Sequence, residues 1–548
     1  MLRPKAIEEI PEETIRIAKA AFPKGSAIMR LRDEFGSLYD DEDFAQLFPS
    51  LGQPALSPWR LAMVSVFQFL ENLTDRQAAN AVRGRLDWKY ALSLEVEHPG
   101  FHYSVLSEFR SRLVAGDAEQ LLLEQMLTHF KAKGLVKARG KQRTDSSHVL
   151  AHIRQLNRAE LVGESLRAAL NELASVVPDW LAELVEPAWY ERYSQRVEDY
   201  RLPSSKAGRA DYLRTVGEDG FSLLDAVDKG RDDLKRLPKV QILREVFEHH
   251  YERKATRVRW RDSSELKPAA EAIRSPYEPE ARYSQKRSTS WLGYKVHLTE
   301  TCDEKSPNLI INVHTTVATE QDVSCTDDIH VSLAERELLP QDHLVDTGYI
   351  DAELLSDSTE QYQVRLLGPP RLKPNWQSKV EGGINLYDFH IDWDQQRVIC
   401  PGDKVSRRWR PHRTTGKYAQ DMIQVSFANK ECQSCALKPR CTRSSKQGRI
   451  LNFQPRAQFE ALKSARATMA TEAGRRAYQL RAGIEGTLSQ AVRAFGARRS
   501  RYRGLAKTHF QQVGTAVAIN LVRVDAYLQG RPKGVTRLSR FARLKQAA

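Results

Sequence analysis

The sequence lacks any long hydrophobic run. Its most apolar stretch, LAMVSVFQFL at 61–70, covers ten residues and carries Ser65 and Gln68, where a membrane-crossing helix needs about 20. It reads as a core helix, and no membrane association is expected. The opening MLRPKAIEEIPEET has no apolar signal-peptide core, so the chain is expected in the cytoplasm, where structural disulfides are rare. Cysteine is scarce: there are six, and four of them fall between 400 and 441, which calls for a metal reading before a disulfide one. Tandem repeats and low-complexity tracts are absent, which excludes solenoid and linker-like architectures. Acid is nearly absent late in the chain. From Arg475 onward only Glu485 and Asp525 oppose a long series of arginines and lysines.

What is abundant is positive charge. With 84 Lys+Arg against 70 Asp+Glu the formal charge is +14 and the isoelectric point about 9.4. The excess gathers in the last third, and such a field favours a polyanion, above all nucleic acid. The length implies two to four domains, or one core with large insertions.

Along the chain, residues 1–135 read as all-helical. Pro58 opens the apolar run as a first-turn proline, Thr74 with Gln77 forms a capping-box pattern, and Gly134 suits a helix stop. The pair of helices around the short turn at 71–74 resembles a DNA-binding helix-turn-helix, a weak pattern by itself. KQRTDSSHVLA at 141–151 is strand-like, within a unit at 136–152. A helical insertion is expected over 153–285, and strands resume over 286–370 with a hairpin made of WLGYKVHLTE and NLIINVHTTVA. DHLVDTGY and YQVRLLGPP add two more strands around a short helix. Residues 371–454 form a second, cysteine-rich insertion, 455–530 the closing helices, and 531–548 a basic tail. Without the insertions the order gives a mixed α/β sheet flanked by helices.

In that topology Asp145 lies on the first strand, Asp346 at the C-terminal end of a later one, and Glu485 on a helix packed across the sheet. Carboxylates that converge without His or Cys are hard oxygen ligands suited to Mg2+ or Mn2+. Two such ions about 4 Å apart would serve in-line phosphoryl transfer. The bland alternative makes each aspartate a turn or cap residue and Glu485 one half of a surface ion pair.

The spacing Tyr478, Arg481, Glu485, with DTGY and TDSS upstream, resembles the DDE transposases of bacterial insertion sequences, in particular the branch marked by a Tyr-Arg-Glu-Lys signature. The likeness extends to SPWRLAMVSVFQFLENLTDRQAANAVRGRLDWKYALSL near the start and SRYRGLAKTHFQQVGTAVAINLVR near the end. It implies an RNase H-like catalytic core in which Asp145, Asp346 and Glu485 hold two Mg2+ or Mn2+ ions, and Tyr478 and Arg481 hold the DNA backbone. It further implies cut-and-paste transposition: cleavage at the terminal inverted repeats to free a 3′-OH, joining of that hydroxyl to target DNA, and a homodimer in the synaptic complex of a bacterial, nucleoid-associated protein. The signature lysine is expected at Val492. The nearest base is Arg493, turned by about 100° on a helix, so Arg493 is carried over as a substitute phosphate contact. Arg498, Arg499, Arg501 and Arg503 are expected along double-stranded DNA. Some relatives flip a base onto an aromatic ring, for which Trp376, Trp393 and Trp409 are candidates against a role as small-core anchors.

Cys432 and Cys435 form a C-x2-C knuckle, with Cys441 six residues on and Cys400 upstream. Four thiolates so spaced suit a tetrahedral structural Zn2+, the rival being free cysteines or a redox pair. Cys302 and Cys325 read as core thiols. Two other functions compete with transposition: a non-catalytic DNA-binding regulator descended from a transposase, and an RNase H-like nuclease that cuts without joining.

Overall fold

The computed structural model describes residues 1–254, 257–371, 375–415 and 419–533. All but the first three residues of the expected basic tail, including Arg537, Arg540, Arg543 and Lys545, lie outside the described residues.

The first region is helical throughout. Helix α1 (Pro58–Leu70) starts on its proline and buries all but Arg60 and Leu70, as an apolar surface on every side requires. The next helix, Asp75–Gly84, has the full capping box: Gln77 N–H donates to Thr74 Oγ1 at 3.3 Å and Thr74 N–H to Gln77 Oε1 at 2.9 Å. Gly134 follows the helix Leu121–Ala132 with φ of 69°, a left-handed stop.

A mixed six-stranded sheet follows. Its strands are β1 (Lys141–Leu150), β2 (Arg282–Lys286), β3 (Thr289–Thr301), β4 (Ile310–Val317), β5 (Asp342–Leu344) and β6 (Arg365–Leu367). β3 runs antiparallel to β1, with Asp145 opposite Leu298, and β4 pairs with its other edge. β5 runs parallel to β1, and β6 parallel to β5. The order across the main body is therefore β4, β3, β1, β5, β6. Helix α2 (Cys325–Glu335) makes the crossover from β4 to β5, and Ala352–Glu360 that from β5 to β6. β2 pairs with the start of β3, where Gly293 passes from β2 to β1 with φ of 151°. A Cβ there would fall 2.2 Å from Val149 O, so only glycine lets the two backbones meet.

Beyond the sheet lie α3 (Glu472–Gln479), α4 (Gly483–Ala494) and α5 (Leu505–Leu528). α5 is the central beam: Phe510, Val513, Val517, Ile519, Leu521 and Val524 are fully buried between α1 and β4. Each such side chain contributes about 1.5–3 kcal/mol. One hydrophobic core runs from the first helices through the sheet to α5, so residues 1–135 share their interior with the sheet. Gly514 of α5 sits so close to Phe69 of α1 that a Cβ would lie 2.2 Å from its ring.

Two satellite cores occupy the expected insertions. The helical one gathers Leu161, Leu166, Leu223, Phe247 and their neighbours. It differs from the sequence reading at its end: the helix Pro238–His250 stops, and Tyr251–Lys254 pairs with Arg257–Trp260 as a hairpin. In Arg257–Trp260 charged and apolar residues alternate with a period of two, and Tyr251 buries its ring beside Phe247. Residues 282–285, expected in the insertion, join Lys286 in the main sheet as β2. The cysteine-rich segment builds its own core on Val398, Val425 and Phe453, with Trp393 and Trp409 edge-on to Phe453. Those two tryptophans are small-core anchors. Trp376 instead carries the Arg443 guanidinium 4.4 Å above its ring.

Candidate active site

Alternation along β1 places Arg143 and Asp145 on one face of the sheet, toward the turn that joins α3 to α4. Asp145 is buried. Its Oδ1 accepts the Ser146 N–H at 2.8 Å and its Oδ2 accepts Arg481 Nη2 at 2.5 Å. Asp346 lies two residues beyond β5 and caps the turn Thr347–Tyr349, its Oδ1 accepting the Gly348 N–H at 2.7 Å. Burial lifts the Asp145 carboxyl above the usual carboxylate range; Arg481 and the Ser146 N–H pull against that rise, and the Asp346 charge adds to it.

Glu485 occupies the first turn of α4, with its side chain exposed and Oε1 3.3 Å from Arg481 Nη1. One guanidinium thus bridges Asp145 and Glu485. The helix expected to carry Tyr478, Arg481 and Glu485 on one face is interrupted: α3 ends at Gln479, and a 3-10 turn, Leu480–Ala482, intervenes. The Arg481–Glu485 contact survives the break. Burial raises the Tyr478 hydroxyl pKa, and the charges of Arg481, Asp346, Asp145 and Glu485 all act on it. Asp145, Asp346 and Glu485 thus all act electrostatically on both Arg481 and Tyr478.

Among the described residues no group of three or more His, Cys, Asp or Glu is arranged to hold a metal ion. For the carboxylates the reason is visible, since Arg481 fills the space between Asp145 and Glu485. The donor set still fits a hard divalent cation: it is all oxygen, and the positive charge it requires is at present a guanidinium.

Sequence reading missed a second layer. Asp322 lies 3.4 Å from Ser146 Oγ and 3.1 Å from Lys295 Nζ, with Lys286 Nζ at 4.0 Å. Gly348 separates Asp322 from Asp346, and a Cβ there would sit 2.9 Å from one and 3.2 Å from the other. Burial tends to raise the Asp322 pKa, but Lys295 and His297 outweigh it and hold it low. The available signal was Lys295 itself, a charge inside the apolar strand pattern WLGYKVHL.

A family model described as a transposase DDE domain matches residues 399–524, and one described as a transposase domain (DUF772) matches residues 18–112. Over these two stretches the chain is similar to the DDE transposases of insertion sequences. Comparison with curated proteins gives no match. The first transposase match takes in Glu485, Arg481 and Tyr478 together with all four clustered cysteines; Asp145 and Asp346 precede it. The second covers α1 and the capping-box helix.

The later arginines of the chain divide into two groups. Arg498 donates to His148 O at 2.7 Å and to Ser147 Oγ at 3.1 Å. Arg501 donates to Leu73 O at 2.7 Å and to Asn72 Oδ1, over the Phe69 ring. Both guanidiniums are half-buried and engaged within the protein. Arg493, Arg499 and Arg503 are exposed. Cys400, Cys432, Cys435 and Cys441 line one small cavity of about 30 Å³ as free thiols. Cys302 and Cys325 are buried core thiols, as expected. No described helix is long and apolar enough to cross a membrane.

Proposed function

We propose that this transposase binds the ends of an insertion sequence as a dimer, cleaves phosphodiester bonds there and joins the freed 3′-OH to target DNA. The single observation that carries the reading is that Asp145, at the middle of β1, and Glu485 both bond Arg481 while Asp346, just past β5, acts on the same guanidinium. The strand order and directions of the sheet support an RNase H-like core. Asp145, Asp346 and Glu485 are the residues that would hold two Mg2+ or Mn2+ ions, whose chemistry would be activation of the attacking oxygen and stabilisation of the leaving one. Arg481 turns its fork from the carboxylates to a phosphate of the scissile strand, a charge-assisted contact of the same geometry. Tyr478 donates its hydroxyl to the same backbone. Exposed Arg493, Arg499 and Arg503 supply the sequence-independent part of DNA binding.

The whole chain, with DNA carrying the element ends and Mg2+, is expected to nick or cleave. Asp346→Asn and Glu485→Gln are expected to abolish cleavage while leaving DNA binding in place. Cleavage surviving both substitutions would sink the proposal. Strand-transfer products in a plasmid assay separate a transposase from a nuclease that cuts without joining, and specific binding without any cleavage would identify a regulator.

The cysteine-rich segment holds a structural Zn2+ on Cys400, Cys432, Cys435 and Cys441. Supporting this, Cys400 Sγ accepts N–H bonds from Gly402 and Lys404, both at 3.4 Å, and Cys432 Sγ one from Arg449 at 3.4 Å, the surroundings that thiolate ligands require. The purified chain is expected to carry one zinc, lost in Cys432→Ser; a metal-free chain with an intact segment would refute the assignment.

A further inference from the structure

Glu300, near the end of β3, is fully buried and makes no contact with the carboxylates described above. Its Oε1 accepts Arg143 Nε at 2.7 Å and Arg143 Nη2 at 2.6 Å. Its Oε2 accepts Thr487 Oγ1 at 2.6 Å and Arg523 Nη1 at 2.7 Å. Four bonds from three elements, β1, α4 and α5, therefore end on one carboxylate.

Two of those partners neighbour proposed metal ligands. Arg143 is two residues before Asp145, hence on the same face of β1. Thr487 is two residues after Glu485 on α4, about 200° around the helix, so Thr487 points inward where Glu485 points out. Arg143 Nη1 also donates to Leu480 O, in the 3-10 turn that breaks the helix. Arg523 closes the far side, donating to Thr487 Oγ1 at 2.6 Å, Gln490 Oε1 at 3.0 Å and Asn308 O at 2.6 Å. A bulge between β3 and β4 at Thr299/Glu300 shifts the register at this point, a device that re-aims a side chain.

Such a network adds little net stability over apolar packing of the same shape, while its directional bonds specify one arrangement. What it specifies here is the height and rotation of α4 against β1, which is the placement of Glu485 against Asp145. We propose that Glu300 is a positioning residue for the third carboxylate, acting through Thr487 and Arg523 on α4 and through Arg143 on β1. The proposal rests on the reading of Asp145, Asp346 and Glu485 as the metal-holding set.

Thr487 is the gentlest point of attack, because its loss leaves no new formal charge unpaired. Thr487→Val keeps the shape and removes the hydroxyl, whereas Thr487→Ser keeps the hydroxyl. In the full-length chain with saturating Mg2+ and element-end DNA, Thr487→Val is expected to lower the single-turnover cleavage rate about 10- to 100-fold, the cost of a small misplacement of a reacting group. The dissociation constant for DNA should stay within about twofold, and Thr487→Ser should restore most of the rate. Mn2+ affinity, read by electron paramagnetic resonance, should weaken in Thr487→Val and recover in Thr487→Ser; this readout needs no turnover. A purely structural role would instead lower the unfolding midpoint and DNA binding together and leave the rate per folded molecule unchanged. Thr487→Val cleaving and binding Mn2+ like the parent would overturn the positioning role alone. If the parent chain itself neither cleaves DNA nor binds Mn2+, the carboxylate reading falls and this inference with it. Should Thr487→Val fail to fold, Arg523→Lys, which keeps the charge but not the second N–H fork, takes its place with the same expectations.

Discussion

Two glycines three residues apart on α4 are expected to respond to alanine with opposite signs. At Gly483 an added Cβ would lie 2.0 Å from Arg143 Nη1, 2.4 Å from Cζ and 2.5 Å from Nη2. A free arginine would swing away, but this guanidinium is held by Glu300 and by Leu480 O. Making room breaks the bond to Leu480, a hydrogen bond from a charged donor of about 1.5–3 kcal/mol, and overpacks the site at about 1–3 kcal/mol. Alanine returns about 0.5–1 kcal/mol through better helix propensity. The net is a loss of about 3 kcal/mol for Gly483→Ala. At Gly486 nothing lies within 4 Å of the new Cβ, so only the gain of about 0.5–1 kcal/mol remains. Hydrogen–deuterium exchange over residues 480–494 reads the difference directly as local opening. Exchange should be about 100-fold faster in Gly483→Ala and about 2- to 5-fold slower in Gly486→Ala, at 1.36 kcal/mol per tenfold. Gly483→Ala exchanging as slowly as Gly486→Ala would show that Arg143 is not fixed, and the bracing argument would fail.

Arg481→Gln should move the acid limb of the metal-binding pH profile upward. Burial and Asp346 raise the Asp145 pKa while Arg481 restrains it, so without the guanidinium the ionised carboxylate needed for metal appears only at higher pH; Mn2+ titrations at stepped pH check the direction. Asn520→Ala should destabilise the chain by about 2–4 kcal/mol, because buried Asn520 bonds both Ile310 N and Ile310 O at 2.7 Å beside the bulge and each orphaned group costs about 1–3 kcal/mol. Guanidinium unfolding followed by circular dichroism tests it, and an unchanged midpoint would contradict the pairing.

Much of this arrangement was legible in the sequence, because the legible parts are local. Pro58, the Thr74–Gln77 box and the hairpin of β3 and β4 each rest on neighbours within a few residues. Asp145 and Asp346 were readable because each sits where a strand pattern and a turn pattern put it. The acids of the second layer were not. Glu300 gives no sign of its bonds to Arg143 and Arg523, which stand 157 and 223 residues away, and Asp322 looks like any turn aspartate. The break at Leu480–Ala482 also escaped notice, since its cause is a carbonyl bonded to a strand arginine more than 300 residues earlier. The internal bonds of Arg498 and Arg501 were hidden in the same way: composition sees a charge and not the backbone carbonyl that holds it.

The burial of α5 against α1 has a consequence for the order of events at the ribosome. Synthesis delivers Asp145, Asp346 and Glu485 before α5, yet the core they depend on needs Phe510 to Val524 in place beside helices made at the very start. Domains ordinarily fold as they emerge, but this centre cannot close until α5, the last long helix among the described residues, has left the tunnel. If these acids form the proposed centre, a product truncated before residue 505 is expected to carry all three with nothing to assemble them.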